Sequence, residues 1–415
     1  MDPASPHRNF YLSNARWLAA GLLCTLGSSF GQTFFISLFA AQFMELHGLT
    51  AGTWGSLYAG ATLTSAALLI KGGQLADTMR LRTLAMVVVG GFALVCAGVA
   101  IHDSIVMLFL MVLGLRFFGQ GMISHVGMTA TARWFQARRG RAIAITSLGY
   151  GIGEAILPAV AVLAIALVGW RGAWWLAAAT VLIVFGGALW VLFARDRTPQ
   201  GGETSGPAPG ALGRHWTRPE ALRHWSYWAL FPGILTPAFI GTVIFFHQAH
   251  VSGEKGWSLA EMAAGYPAYA VSAIAAVFIA GRIIDRFGAL ALLPLFLLPI
   301  GLGIVLLQTS DQVWIWAVVL GCIGFGAGFS SALNGAVWAE IYGTRNLGAI
   351  RALAVSAMVF STAIGPAVTG LLIDRGIVLE AQGIAMMLWC VGLSAIYVPV
   401  VTRLRRLIAA PAAGL

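Results

Sequence analysis

Apolar runs of roughly 20 residues or more, long enough to cross the hydrocarbon core of a bilayer as helices, recur about every 30 residues along this chain. They occupy 17–43, 50–71, 83–101, 104–130, 142–168, 172–194, 225–250, 258–281, 288–308, 312–339, 347–373 and 380–402. The strands of a membrane barrel would be short alternating segments, whereas these runs are continuous, so the twelve spans are expected to be helical. With 59% hydrophobic and only 10% charged residues, a soluble globule is excluded and an all-α multi-pass membrane protein is predicted.

The formal net charge of +10 does not point to nucleic acid, because the basic residues sort by loop. Of the Lys and Arg, 21 fall on the side that holds both termini, and the opposite loops hold 3: Arg171, Lys255 and Arg375. Basic residues in short loops stay on the cytoplasmic side, so both termini are expected there. Arg outnumbers Lys 23 to 2, which suits a bacterial protein and hence the inner membrane. The opening MDPASPHRNFYLSNAR carries no cleavable-signal pattern, so the first span is expected to be its own targeting signal. Cys24, Cys96, Cys322 and Cys390 all fall inside spans, where thiols act as small apolar packers. Neither a cofactor nor a metal site is expected.

The longest polar stretch, RDRTPQGGETSGPAPGALGRHWTRPEALRH at 195–224, is rich in Gly, Pro and Arg. Its first part reads as a flexible linker and TRPEALRH as a short surface helix. The expected organisation is a six-helix bundle over 1–195, a cytoplasmic linker over 196–224 and a second six-helix bundle over 225–415. The halves echo each other. Gly73 and Asp77 follow span 2 with the spacing by which Gly281 and Asp285 follow span 8, and Gly119 and Gly121 of span 4 match Gly326 and Gly328 of span 10. Duplicated halves of this kind are the architecture of rocking transporters that bind near the midplane.

GGQLADTMRLR and GRIIDRFG resemble the loop signature of the major facilitator superfamily, and LRFFGQG, with Arg116, Gly119 and Gly121, resembles its fourth-helix signature. Within it, ARWFQARRGRAIAITSLGYGIG at 132–153 is similar to the entry to span 5 in monocarboxylate carriers and oxalate:formate exchangers, and EALRHWSYWAL at 220–230 to the start of the exchangers' second half. The resemblance implies two pseudo-symmetric bundles in the major facilitator fold, transport rather than enzymatic activity, action as a monomer, and a cavity lined by spans 1, 4, 7 and 10.

Only Arg116 among the bases and Glu154 among the acids lie deep inside an apolar run. A charge at bilayer depth is costly unless it is paired or serves an aqueous pathway. Each stands about 19 residues from the centre of the 4–5 loop, so antiparallel helices place the two at one depth and predict a pair. Two readings stay open: Arg116 holds an anionic substrate through its planar fork while Glu154 exchanges a proton, or the two form a structural ion pair. Gln120 shares the face of Arg116, and Ser147 and Tyr150 that of Glu154. With the cavity-lining spans in mind, Gln32, Gln120, Tyr150 and Asn334 are the polar candidates for substrate contact.

Asp77 with Arg80 and Arg82, and Asp285 with Arg282 and Arg286, are expected to form charge clusters that hold an inner gate shut, with Glu340 and Arg345 joining the second. His125 is half a turn away from Arg116 and reads as a packing residue, His247 and His250 as wet residues near the outer end of span 7. Tyr266, Tyr269, Trp170, Trp174, Trp175 and Trp225 read as interfacial anchors. The expected function is proton-coupled transport of a small organic anion, above all a monocarboxylate. The alternatives are proton-driven efflux of amphipathic or cationic compounds and exchange of organic anions. The expected partners are that anion, protons and the lipid bilayer.

Overall fold

The structure is a computed structural model that describes residues 6–135, 139–195 and 209–409. Among these residues nine helical stretches are long and apolar enough to cross a membrane. One of them, Gly140–Leu192, has 53 residues, which at about 1.5 Å per residue is far longer than one crossing requires. It breaks at Gly169, where φ 72° and ψ 168° lie outside the range open to a residue with a side chain. This break separates spans 5 and 6 between the two runs expected from the sequence. Span 2 (Ala51–Gly72) and an irregular span 9, in which 3-10 helix Ala289–Leu292 leads through turns into helix Leu298–Leu306, complete the twelve.

Contacts divide the chain into two compact units, Met1–Gly48 with Gly60–Thr204, and Leu49–Ala59 with Ser205–Leu415. In the N-terminal unit span 1 packs on spans 4 and 5, and span 3 (Leu81–Ile101) on spans 4 and 6. In the C-terminal unit span 7 (Trp225–Phe246) packs on span 11 (Leu347–Asp374), and span 9 on span 10 (Trp314–Tyr342) and span 12 (Leu379–Ala409). The pairs 1–5, 3–4 and 3–6 are thus repeated as 7–11, 9–10 and 9–12, which gives the sequence repeat its structural content. The first turns of span 2 belong to the C-terminal unit. There Asp374 accepts hydrogen bonds from Thr50 Oγ1 (2.7 Å) and Gly52 N (3.0 Å), and Trp54 and Tyr58 close over Phe246.

Several side chains depart from the sequence reading. Trp174 is fully buried against Phe35 and Phe39, and Tyr266 is buried with its hydroxyl donating to Gln248 Oε1 at 2.6 Å. Both lie close to span ends, but bundle neighbours cover them, so neither is an interfacial anchor. Trp175 and Trp225 do remain exposed. His247 is also buried, 2.8 Å from Thr369 Oγ1, rather than wet. The expected surface helix forms over Arg218–Arg223 behind a capping box, in which Thr217 donates through N and Oγ1 to Glu220. Those hydrogen bonds hold the Glu220 carboxyl below its ordinary pKa.

Candidate functional site

Span 1 (Ala15–His47) is not one helix. Regular helix Ala15–Gly27 tightens into a 3-10 turn over Ser28–Gly31, breaks at Gln32, whose φ −80° and ψ 155° are extended, and resumes at Thr33. The facing part of span 4 (Ile105–Trp134) is irregular too, because Leu115–Ile123 is wound as π-helix. Wide turns of that kind are rare and concentrate at functional sites. The two irregular stretches pack on each other.

Glycine makes the approach possible. A Cβ on Gly31 would stand 2.8 Å from Gly119 Cα and 2.7 Å from Gln120 N, so neither span tolerates a side chain where they cross. Gly119, recognised in the sequence as part of a repeated pair, is therefore a contact point between backbones. Its counterpart Gly326 meets Ile300 of span 9 instead.

Arg116 sits within the π-helical stretch and is only 3% exposed. Its Nη1 donates to Thr33 Oγ1 at 3.3 Å, which ties the guanidinium to the restart of span 1. At the corresponding place in the C-terminal unit, Ile323 is an ordinary buried apolar residue. Gln32 and Gln120 are half-buried on either side of the Gly31–Gly119 crossing. Tyr150 is half-buried on span 5, and on span 4 Ser124 Oγ donates back to the carbonyl of Gln120. Span 5 is tied to span 4 further along, where the hydroxyls of Thr146 and Thr131 lie 2.9 Å apart.

Glu154 is on span 5, half-buried, but the expected pair does not form: among the described residues no ion pair joins it to Arg116. Gly153 packs directly on Ser29, and the 3-10 turn of span 1 contacts both span 5 and the π-helical stretch that carries Arg116. Asn334 lies in the C-terminal unit, half-buried on span 10, with Nδ2 3.5 Å from Ser330 Oγ.

The charged loop motifs take other partners than those expected. The side chain of Asp77 lies outside the described residues. Arg80 is exposed at the start of span 3, and Arg82 places its guanidinium 3.6 Å from the Trp190 ring centroid. Asp285 is exposed, Arg282 reaches back to the Phe278 carbonyl at 3.5 Å, and Arg286 lies over Phe287. Glu340 accepts from Ala289 N at 2.6 Å and caps the entry to span 9 rather than pairing with an arginine. Exposed ion pairs are worth little, and an aromatic face competes with them on equal terms. His125, read as a packing residue, holds Gly73 O at 3.2 Å from Nε2.

Sequence periodicity missed Thr33 and Ser29. The signal available for them was the run SSFGQ, whose small hydroxyl residues and glycine weaken a helix from within.

Two of the solved structures that share this architecture align over nearly all of this chain. They are the inward-facing unoccupied and inward-facing occupied forms of a bacterial homologue of the human lysosomal transporter Spinster. The first aligns with a TM-score of 0.70 at 17% identity over 98% of each chain. The second aligns with a TM-score of 0.68 at 17% identity over 97% of this chain and 98% of that one. At such identity the likeness is one of fold. No curated protein sequence matches significantly. The family model for the Major Facilitator Superfamily matches residues 21–366 and again 238–411. A multi-pass transporter with duplicated bundles, an irregular first span and a buried arginine in its fourth, the chain belongs to the Major Facilitator Superfamily.

Proposed function

We propose that this transporter is a proton-coupled carrier of a small organic anion, with monocarboxylates the preferred class, working by alternating access as a monomer in the inner membrane with both termini cytoplasmic. The observation that carries the reading is the setting of Arg116, a buried guanidinium in a π-helical stretch against a break in span 1. A guanidinium presents a rigid planar fork matched to a carboxylate, and broken helices in transporters gather where substrates bind. Gln32, Gln120 and Tyr150 supply neutral hydrogen-bonding groups around it, and Asn334 is the candidate from the C-terminal half.

Glu154 is assigned the coupled proton. Because the Ser28–Gly31 turn touches the surroundings of both charged residues, the coupling runs through span 1 rather than through a direct ion pair. Substrate on Arg116 shifts the turn, and the turn changes the room left beside Glu154. Asp77, Arg80, Arg82, Arg282, Asp285 and Arg286 are assigned to the inner gate, exchanging the partners described above for ion pairs when the gate shuts.

The test is uptake of labelled lactate, pyruvate, formate and oxalate into proteoliposomes, with and without an imposed pH gradient. Saturable monocarboxylate uptake that the gradient drives uphill is the expected result. If none of the four is transported while a cationic amphipath is, the anion reading is wrong.

A further inference from the structure

The end of the linker is built onto the C-terminal unit. Residues 210–216 lie as a strap along the linker-side ends of spans 10 and 11, anchored by Trp216, which is only 2% exposed. Trp216 N donates to Tyr342 O at 3.3 Å, and its Nε1 donates to Ala211 O at 3.1 Å. Asn346, the capping residue of span 11, donates through Nδ2 to Trp216 O at 2.8 Å. A Cβ on Gly210 would collide with the backbone of Tyr342 and Gly343, so the strap meets the end of span 10 only because that position is glycine. The Trp216 ring makes T-shaped contacts with Tyr342 and His224, at centroid distances of 5.5 Å and 5.0 Å.

His224 is half-buried at the joint between the helix Arg218–Arg223 and span 7, where it caps span 7. Its Nδ1 accepts from Ser226 N at 3.4 Å and lies 2.7 Å from Ser226 Oγ. A backbone N–H can only donate, so Nδ1 carries the lone pair and the ring proton is on Nε2. Ser226 Oγ therefore donates to Nδ1 and accepts from the Tyr342 hydroxyl at 2.6 Å. In an imidazolium both ring nitrogens are donors. The Ser226 hydroxyl could turn round to accept from Nδ1, but Ser226 N could not, and span 7 would lose its cap. The same proton would place a cation at the positive end of the span 7 dipole. It would also stand near Arg214, whose guanidinium lies 4.1 Å from the Trp216 ring centroid and already takes a face of that ring.

The surroundings offer such a cation no relief. Among the described residues of the elements packed here, the acids are Glu220, held by Thr217 and Arg214, and Glu340, which accepts from Ala289 N. The other titratable groups are His215, the hydroxyls of Tyr227 and Tyr342, and cations: Arg218 and Arg223 on the short helix, Arg345 and Arg351 at the start of span 11. Span 12, which packs on 211–213, adds Arg403, Arg405 and Arg406. Burial, and after it Arg214, holds the His224 pKa below the ordinary 6.5. With the docked value depressed, docking is fully favoured above the ordinary value and weakens as the pH falls towards the lowered one. We infer that His224 is a pH switch for the linker strap. Neutral, it holds Trp216 against span 10 and ties together the linker-side ends of spans 7, 10 and 11; protonated, it releases 210–216. On the topology and coupling proposed above, the switch answers the acid load that inward proton transport brings to the cytoplasm, whereas the strap itself is tested without that reading.

The test is hydrogen–deuterium exchange of the full-length protein in phosphatidylcholine nanodiscs, read by peptide mass spectrometry. It is run at about pH 7.5 and about pH 5, on either side of the range in which histidine titrates, and corrected for the intrinsic pH dependence of amide exchange. Segment 210–217 should exchange roughly fivefold faster at the acid pH, the effect of losing a side-chain cap, while the interior of span 7 stays protected. His224→Asn keeps an acceptor for Ser226 N but cannot titrate, so the segment should be equally protected at both pH values. His224→Lys should expose it at both. His215→Gln, which removes the other histidine of the strap, should keep the full wild-type response. The wild-type comparison decides by itself if a variant fails to fold. Wild-type protection that does not change with pH would overturn the assignment. So would a response retained in His224→Asn or lost in His215→Gln, protection kept by His224→Lys, or acid exchange that rises equally across span 7.

Discussion

Replacing Arg116 by Lys keeps the charge but removes the fork that meets a carboxylate with two parallel hydrogen bonds. The half-saturation concentration for a transported monocarboxylate should rise about tenfold or more, a loss of roughly 1.4 kcal/mol. An unchanged value in proteoliposome uptake would return Arg116 to a structural role. Glu154→Gln mimics the protonated carboxyl, so uptake driven by a pH gradient should vanish while exchange of substrate across the membrane persists. Uphill uptake retained in this variant would remove Glu154 from the coupling. Both residues were legible in the sequence because a charge within an apolar run stands out. Their failure to pair was not legible, because residue counting gives the depth and phase of a side chain but not which helix stands beside it.

The contact of span 1 with span 4 depends on Gly31 and Gly119 having no side chains. Gly31→Ala forces a methyl group to within 2.8 Å of Gly119 Cα and 2.7 Å of Gln120 N, both backbone atoms that cannot rotate away. The expected cost is that of overpacking, about 1–3 kcal/mol, read as a lower melting temperature together with reduced transport. Gly151→Ala on span 5, where a Cβ meets nothing, is the control and should leave both measurements unchanged. Span boundaries followed hydropathy closely, as Ala51–Gly72 against an expected 50–71 shows. The interior irregularities of spans 1, 4 and 9 escaped because a π-helical or 3-10 stretch leaves an apolar run just as apolar.

Across the whole molecule, the polar linker, the repeated motifs and the matching helix pairs describe one duplication. The division into compact units nevertheless does not fall only at the linker, since Leu49–Ala59 groups with Ser205–Leu415. Residues 205–415 expressed alone therefore lack the two described donors to Asp374, as well as the rings of Trp54 and Tyr58 that close over Phe246. They should melt below the intact chain, and co-expression with 1–204 should restore stability. A first fragment carrying Trp54→Ala should restore less. Equal melting of 205–415 with and without the first fragment would show that the first turns of span 2 contribute nothing to that unit. This exchange of a segment could not be read from the sequence, where 49–59 is continuous with the rest of span 2.

Spans 5 and 6 reverse direction at Gly169 with no loop between them. A joint of one residue stores no slack, so neither span can slide along its axis without pulling the other. The pair is expected to move as a single lever. On the proposed coupling role of Glu154, a displacement beginning beside it should be delivered through Gly169 to span 6. A tag or extra residues inserted at this hairpin should uncouple the two spans even though Gly169 is far along the chain from Glu154 itself.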